Sequence, residues 1–363
     1  MSTMTEVPAR TFVRSDYIVI CGGAVTVVLA ALTRFAGGPA VTAFLCAALA
    51  VTLLASLVGR CVEQLGDRFG PGATGVLQSA LGNLPELFIA LFALKAGLVQ
   101  VVQAALIGSI LANLLLVLGL CFLVGGLRHG PQKLDSERAR AIIVLMVLSV
   151  AALVLPSLAH FLHTPASQHE STLSLIVSAI LLLLFVLTLP ASLKRGSSEP
   201  LEESMHQEAP RWPIALAVGL LTLAAVLSAF VSDWFVHALE PAMGTLHISD
   251  AFAGLVIVAI AGNAIENVVG IQLAAKNRSE YAFSVVINSP LQIALVLAPV
   301  LVILSQVLGF TALTLVFSPM LIVSVAIAVI LTAFITFDGE SNWIEGAALI
   351  AVYAIIATTF WWG

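Results

Sequence analysis

Gly82-Asn83-Leu84-Pro85-Glu86 and Gly262-Asn263-Ala264-Ile265-Glu266 are two versions of one pentapeptide, set 180 residues apart in a chain of 363. Each puts a carboxylate inside an apolar run, next to a glycine and an amide. A charge at the centre of a membrane span costs roughly 3 kcal/mol or more. A single membrane Asn or Glu can be accounted for by a hydrogen bond between helices. Two matching copies, one in each half of a chain, point to a shared site. The expectation is that Glu86 and Glu266 face each other and form one cation site, occupied in turn by a metal ion and by protons.

The surroundings of the two copies decide the fold class. The chain is 60% hydrophobic and 10% charged, with a mean hydropathy of +1.09, whereas soluble domains carry about 25% charged residues. This is the composition of an all-α polytopic membrane protein, with membrane lipid around it. The net charge of −5 and the lack of a basic tract exclude nucleic acid as a partner. Cys21, Cys46, Cys61 and Cys121 show no metal-type spacing and read as small buried hydrophobes. With about 20 apolar residues needed per crossing, eleven transmembrane helices are expected. They fall at about 16–33, 41–66, 72–96, 99–126, 138–163, 171–193, 213–237, 250–276, 280–308, 311–336 and 342–362. The polar start with Arg10 and Arg14 leads into a membrane helix that lacks a cleavage-site pattern.

Basic residues set the orientation. With the N-terminus in the cytoplasm, the inner segments hold Arg10, Arg14, Arg60, Arg68, Arg128, Lys133, Arg138, Arg140, Lys194, Arg195, Arg211, Lys276 and Arg278, leaving Arg34 and Lys95 outside. The C-terminal Trp361-Trp362 then lies at the outer surface. Residues 196–211, with Glu199, Glu202, Glu203 and Glu208, read as an acidic cytoplasmic linker. The expected organisation is a tail and first helix (1–40), a first repeat of helices two to six (41–195), that linker, and a second repeat of helices seven to eleven (212–363). Five crossings separate the two motifs, so the two five-helix repeats are inverted, a plan that secondary transporters build around a midplane site.

The residue types suit a hard cation. Asn83 and Glu86 share a helix face. Pro85 offers no N–H and frees the carbonyl of Leu81, and Pro290 is expected to break helix nine in the same way. Ser109 and Ser289 keep the 180-residue offset, with Asn113 and Gln292 just beyond them. Glu86, Glu266, Asn83, Asn263, Ser109, Ser289, Asn113 and Gln292 offer oxygen ligands of the kind calcium takes. No thiol or imidazole stands among them, which argues against zinc, copper and nickel. Two carboxylates in low dielectric cannot both stay charged and empty. A divalent ion neutralises both, or protons do, and that competition is the minimum machinery of an exchanger. Glu63 on helix two and Asp233 on helix seven read as proton or cation access points. Glu170, Glu240 and Asp250 belong to outer loops, and His160 and His163 to the outer interface. Asp338, Glu340 and Asn342 imitate a calcium loop only in part.

These motifs, with Gly108-Ser109-Ile110-Leu111-Ala112-Asn113 and the tail Asp338-Gly339-Glu340-Ser341-Asn342-Trp343, resemble the calcium/cation–proton exchanger (antiporter) family of the cation/calcium antiporter superfamily. The resemblance implies eleven helices and makes Glu86 and Glu266 the cation-binding and proton-exchanging acids. Asn83, Asn263, Ser109, Asn113, Ser289 and Gln292 are then the surrounding ligands, and Glu63 the acidic position of helix two. Glu266-Asn267 stands where the family commonly has Glu-His, and Leu84-Pro85 is a feature of the sodium–calcium branch.

The reading is a secondary active transporter, not an enzyme. It exchanges calcium, with sodium as a second candidate ion, for protons across a bacterial inner membrane by alternating access, and no resident cofactor is expected. Sodium/calcium exchange and monovalent cation/proton antiport are the alternatives. A passive channel would show uncoupled flux. An intramembrane enzyme lacks its Gly-x-Ser-x-Gly or Gly-Asp signature.

Overall fold

The computed structural model describes residues 11–69, 77, 81–134, 136–196 and 211–362, with only the backbone course at 67, 69, 136–139, 189–196 and 264–266. Most of the linker, including Glu199, Glu202, Glu203 and Glu208, lies outside the described residues, as does Arg10. The described chain is almost wholly helical. Its helices are α1 (Arg14–Phe35), α2 (Ala40–Phe69), α3 (Leu84–Lys95), α4 (Val99–His129), α5 (Ser136–Phe161), α6 (Glu170–Gly196), α7 (Ile214–Leu246), α8 (Asp250–Gly262), α9 (Ala264–Ala275), α10 (Ser279–Val307), α11 (Pro319–Thr336) and α12 (Trp343–Phe360). Among the described residues, nine helices are long and apolar enough to cross a membrane, or ten if a pair bent by 61° within α8 and α9 forms one span. The expected third span is described only over α3.

Burial sorts the helices into centre and rim. In α4 and α10, 78% and 67% of the most apolar window is buried, against 17% in α1 and α6. The rim helices turn apolar residues such as Ile18, Val25, Leu183 and Leu187 outward, as lipid requires. α2 packs along α1 and α7, while α4 packs against α8, α9 and α12. Glycine sets the tightest crossing: a Cβ on Gly108 would lie 2.2 Å from the Leu255 carbonyl oxygen, and one on Gly254 would lie 2.3 Å from that of Val101. Of the cysteines, all free, Cys61 and Cys121 are buried and Cys46 half-buried; Cys21 is exposed on α1, contrary to expectation.

The two pentapeptides fold alike. Asn83 ends a turn at φ −95°, ψ 16°, and Asn263 at φ −96°, ψ 17°. Each is followed at once by a new helix. At the same 180-residue offset, Gly97 and Asn277 take left-handed backbone. A π-helical stretch follows Ser109 at Ala112–Val117, and another follows Ser289 at Ile293–Leu297. Such widened turns are often placed at functional sites.

Three further expectations are corrected. The third helix does not run through Pro85: the break falls at Gly82-Asn83, and Pro85 stands in the first turn of α3, where its missing N–H has no intrahelical partner to lose. Pro290 does not break α10, because the helix absorbs it and widens into the π turn that follows. Residues 311–318 are not helical. They form a buried extended stretch, with Leu313, Leu315 and Phe317 inside. The N–H groups of these three residues donate to the hydroxyls of Ser305, Ser174 and Ser157 at 3.0, 2.9 and 2.8 Å. Gln103 Nε2 donates to the carbonyls of Thr314 and Val316 at 3.2 and 2.8 Å. Non-helical backbone at membrane depth must be satisfied by protein in this way.

Candidate cation site

α3 begins at the Gly82-Asn83 turn and carries Glu86 in its first turn, where a helix favours negative charge. Glu86 Oε1 accepts from Asn263 Nδ2 at 2.6 Å and from Ser109 Oγ at 3.2 Å. Asn263 is the hub. Its Nδ2 also lies 2.8 Å from Ser109 Oγ and 2.9 Å from the Ala259 carbonyl. Its Oδ1 accepts from Asn113 Nδ2 at 3.1 Å and from Ser289 Oγ at 3.2 Å. Asn113 Nδ2 reaches the Ser109 carbonyl at 3.0 Å and Ser289 Oγ at 3.3 Å. The network joins α3, α4, the α8–α9 break and α10, so each half of the chain contributes.

The site is nearly dry. Asn113 is 0% exposed, Asn263 1%, and Ser109 and Ser289 4% each. Asn113 Oδ1 is buried and has no donor among the described residues, a deficit of about 1–3 kcal/mol that a cation or a rearranged donor could relieve. Gly262 lets Glu86 approach: a Cβ there would lie 2.6 Å from Glu86 Cγ. From Glu86 and Ser109 an apolar cavity of about 30 Å³ extends between Ala93, Val102, Leu106 and Leu239. The carboxylate, amide and hydroxyl oxygens form a donor set suited to a hard cation.

Five of the eight predicted ligands therefore meet: Glu86, Ser109, Asn113, Asn263 and Ser289. Gln292 is half-buried three residues after Ser289. Asn83 is half-buried in its turn, and among the described residues no hydrogen bond involves its side chain. Glu266 follows Asn263 by three residues in α9, and its side chain lies outside the described residues. Glu63 and Asp233 are exposed on α2 and α7. Asn342 and Glu345 form a capping box at the start of α12, and Asp338 accepts from the Glu340 N–H at 3.1 Å, so the calcium-loop imitation has a structural explanation. His160 pairs with Glu170. Sequence reasoning missed Thr52 of α2, whose hydroxyl reaches the Ala261 carbonyl beside the α8–α9 break at 3.3 Å. A lone threonine in an apolar run gave no signal.

The family model described as sodium/calcium exchanger protein matches residues 39–194 and 216–362. The chain belongs to this family. Among its relatives, the Ca(2+)/H(+) antiporter ChaA of Bacillus subtilis (strain 168) is 37% identical over 96% of this chain and 99% of its own length. A Ca(2+)/H(+) antiporter of Aphanothece halophytica is 35% identical over 88% of this chain and 90% of its own. The solved structure of native YfkE is 34% identical and superimposes with a TM-score of 0.81, covering 95% of this chain and 99% of that one. This exchanger-family protein is thus an integral membrane transporter and not an enzyme. Its two family matches fall one on each pentapeptide.

Proposed function

We propose that the protein exchanges calcium for protons across the membrane by alternating access, with Glu86 and Glu266 as the acids that hold either ion. The observation that carries the reading is the half-buried Glu86 carboxylate, ringed by oxygen-bearing side chains from both halves of the chain. The relatives named Ca(2+)/H(+) antiporters support the choice of ions. Calcium would take Glu86, Glu266 and the amide and hydroxyl oxygens as ligands. Protons would neutralise the acids once it leaves.

The finer architecture is eleven spans: one extra N-terminal helix, two inverted five-helix repeats at 41–195 and 212–363, and the linker 196–211 between them. The matched turns and π stretches support the repeats. Interhelical contacts support the crossing parity. Gln132–Lys133 pairs with Glu340–Ser341, and Arg68 reaches the Trp212 carbonyl, joining chain ends assigned to the cytoplasm. Ser249 reaches the Phe360 carbonyl, joining ends assigned outside. The N-terminus is cytoplasmic, the C-terminus external and the membrane a bacterial inner membrane. Glu63 and Asp233 serve access from opposite mouths.

The test is transport in proteoliposomes, with calcium, sodium and potassium each set against an imposed pH gradient and read by an internal pH dye. Calcium-coupled proton movement is expected, lost in Glu86→Gln and in Glu266→Gln while each variant still folds. Full activity in either variant would refute the assignment. The family description and the Leu84-Pro85 pair favour one second reading, sodium-driven calcium exchange. Calcium movement driven by sodium with pH clamped would select it.

A further inference from the structure

Asn263 turns its amide nitrogen, and not its oxygen, towards Glu86. A calcium ligand must present oxygen, so the observed arrangement is one in which neutral donors, Asn263 Nδ2 and Ser109 Oγ, face the carboxylate where a cation would otherwise stand. The orientation is held from behind, because Asn263 Oδ1 accepts from both Asn113 Nδ2 and Ser289 Oγ. We propose that Asn263 and Asn113 are a coupled pair of amide rotors, both turning over when calcium enters and back when it leaves. The inference rests on the calcium reading above.

The coupling follows from the donor and acceptor ends of the two amides. If Asn263 alone turned over, its NH₂ group would face the NH₂ group of Asn113, and the bond between the two amides would be replaced by donor against donor in a site closed to solvent. A half-turn of Asn113 brings Oδ1 to that place instead. Oδ1 is the atom that has no donor in the observed arrangement. Ser289 Oγ, which donates to Asn263 Oδ1 now, can accept from Asn263 Nδ2 afterwards. The exchange gives up the Asn113 bond to the Ser109 carbonyl and the Asn263 bond to the Ala259 carbonyl, so each arrangement leaves polar atoms unmatched. Neither is fully satisfied, as a two-state element requires. Among the described residues Asn83, the counterpart of Asn263, makes no such bonds.

Asn113→Asp replaces the donor with a permanent acceptor and should hold Asn263 with its oxygen inward. In purified full-length protein, calorimetric titration with calcium should show Asn113→Asp binding at least about tenfold tighter than the native chain, a coupling of ordinary size for touching residues. Turnover in proteoliposomes should fall. In an Asn263→Ser background the same change should alter affinity less than about twofold. Equal tightening in both backgrounds would mean that added charge alone acts, and would overturn the pair. Infrared difference spectra, with and without calcium on protein carrying ¹³C-labelled asparagine, supply a second readout. The asparagine carbonyl bands should vanish together in Asn263→Ser and in Asn113→Ser. Bands that never appear, or that vanish in only one variant, also overturn it. If calcium binds the native chain but not Glu86→Gln and no coupling is seen, the rotors fail and the exchange reading stands. If the native chain binds no calcium at all, both fail.

Discussion

Glu86 and Gly262 show how a single methyl group separates function from fold. A Cβ at Gly262 would lie 2.6 Å from Glu86 Cγ and 2.7 Å from Oε1. The atoms it meets belong to a flexible side chain, which can swing aside at modest cost. Gly262→Ala is therefore expected to leave the protein folded, with a thermal midpoint within a few degrees of the native value, and to lower calcium-coupled proton transport about tenfold or more, because the carboxylate loses its place beside Asn263. Gly108→Ala is the opposite case. Its Cβ would meet the backbone of Leu255 at 2.2 to 2.6 Å, which cannot yield without parting α4 from α8. A loss of about 1–3 kcal/mol or more is expected, read as a clear drop in the thermal midpoint. Similar midpoints for the two variants would contradict this division.

At the scale of elements, the stretch 311–318 is held open by side chains from α4, α5, α6 and α10. Ser157 serves it twice, accepting from the Phe317 N–H and donating to the Leu315 carbonyl. Ser305 accepts only the Leu313 N–H from this stretch. Unmet buried backbone groups cost about 1–3 kcal/mol each, so Ser157→Ala is expected to lower the detergent-solubilised protein's thermal midpoint more than Ser305→Ala does. Gln103→Leu, which strips the donor from two carbonyls, should fall near Ser157→Ala. Because Gln103 is on the same helix as Ser109 and Asn113, the extended stretch also fixes the height of α4 beside the site.

For the molecule as a whole, the prediction concerns sidedness. Gly130, in the turn after α4, and Thr164, between α5 and α6, are assigned to opposite faces of the membrane. In a cysteine-free background, Gly130→Cys should react with an impermeant maleimide only in inside-out vesicles, and Thr164→Cys only in right-side-out cells. Labelling of both from one side would break the crossing parity and the inverted repeat with it.

Much of this was legible without coordinates. The membrane class follows from composition, and the two pentapeptides, the serines after them and the offset between them are strings that can be read directly. The breaks at Gly82-Asn83 and Gly262-Asn263 were not, because the apolar runs carry on across them. The partnerships were not legible. That Asn263 holds Glu86, that Asn113 is left with an oxygen unmatched among the described residues, and that 311–318 runs past four serine and glutamine side chains all depend on residues far apart in sequence, or on different helices. An apolar run reads the same whether its amides bond within a helix or to distant hydroxyls. Hydrophobic pattern sets which faces are buried; only the packing of helices decides which polar atoms, once buried, find one another.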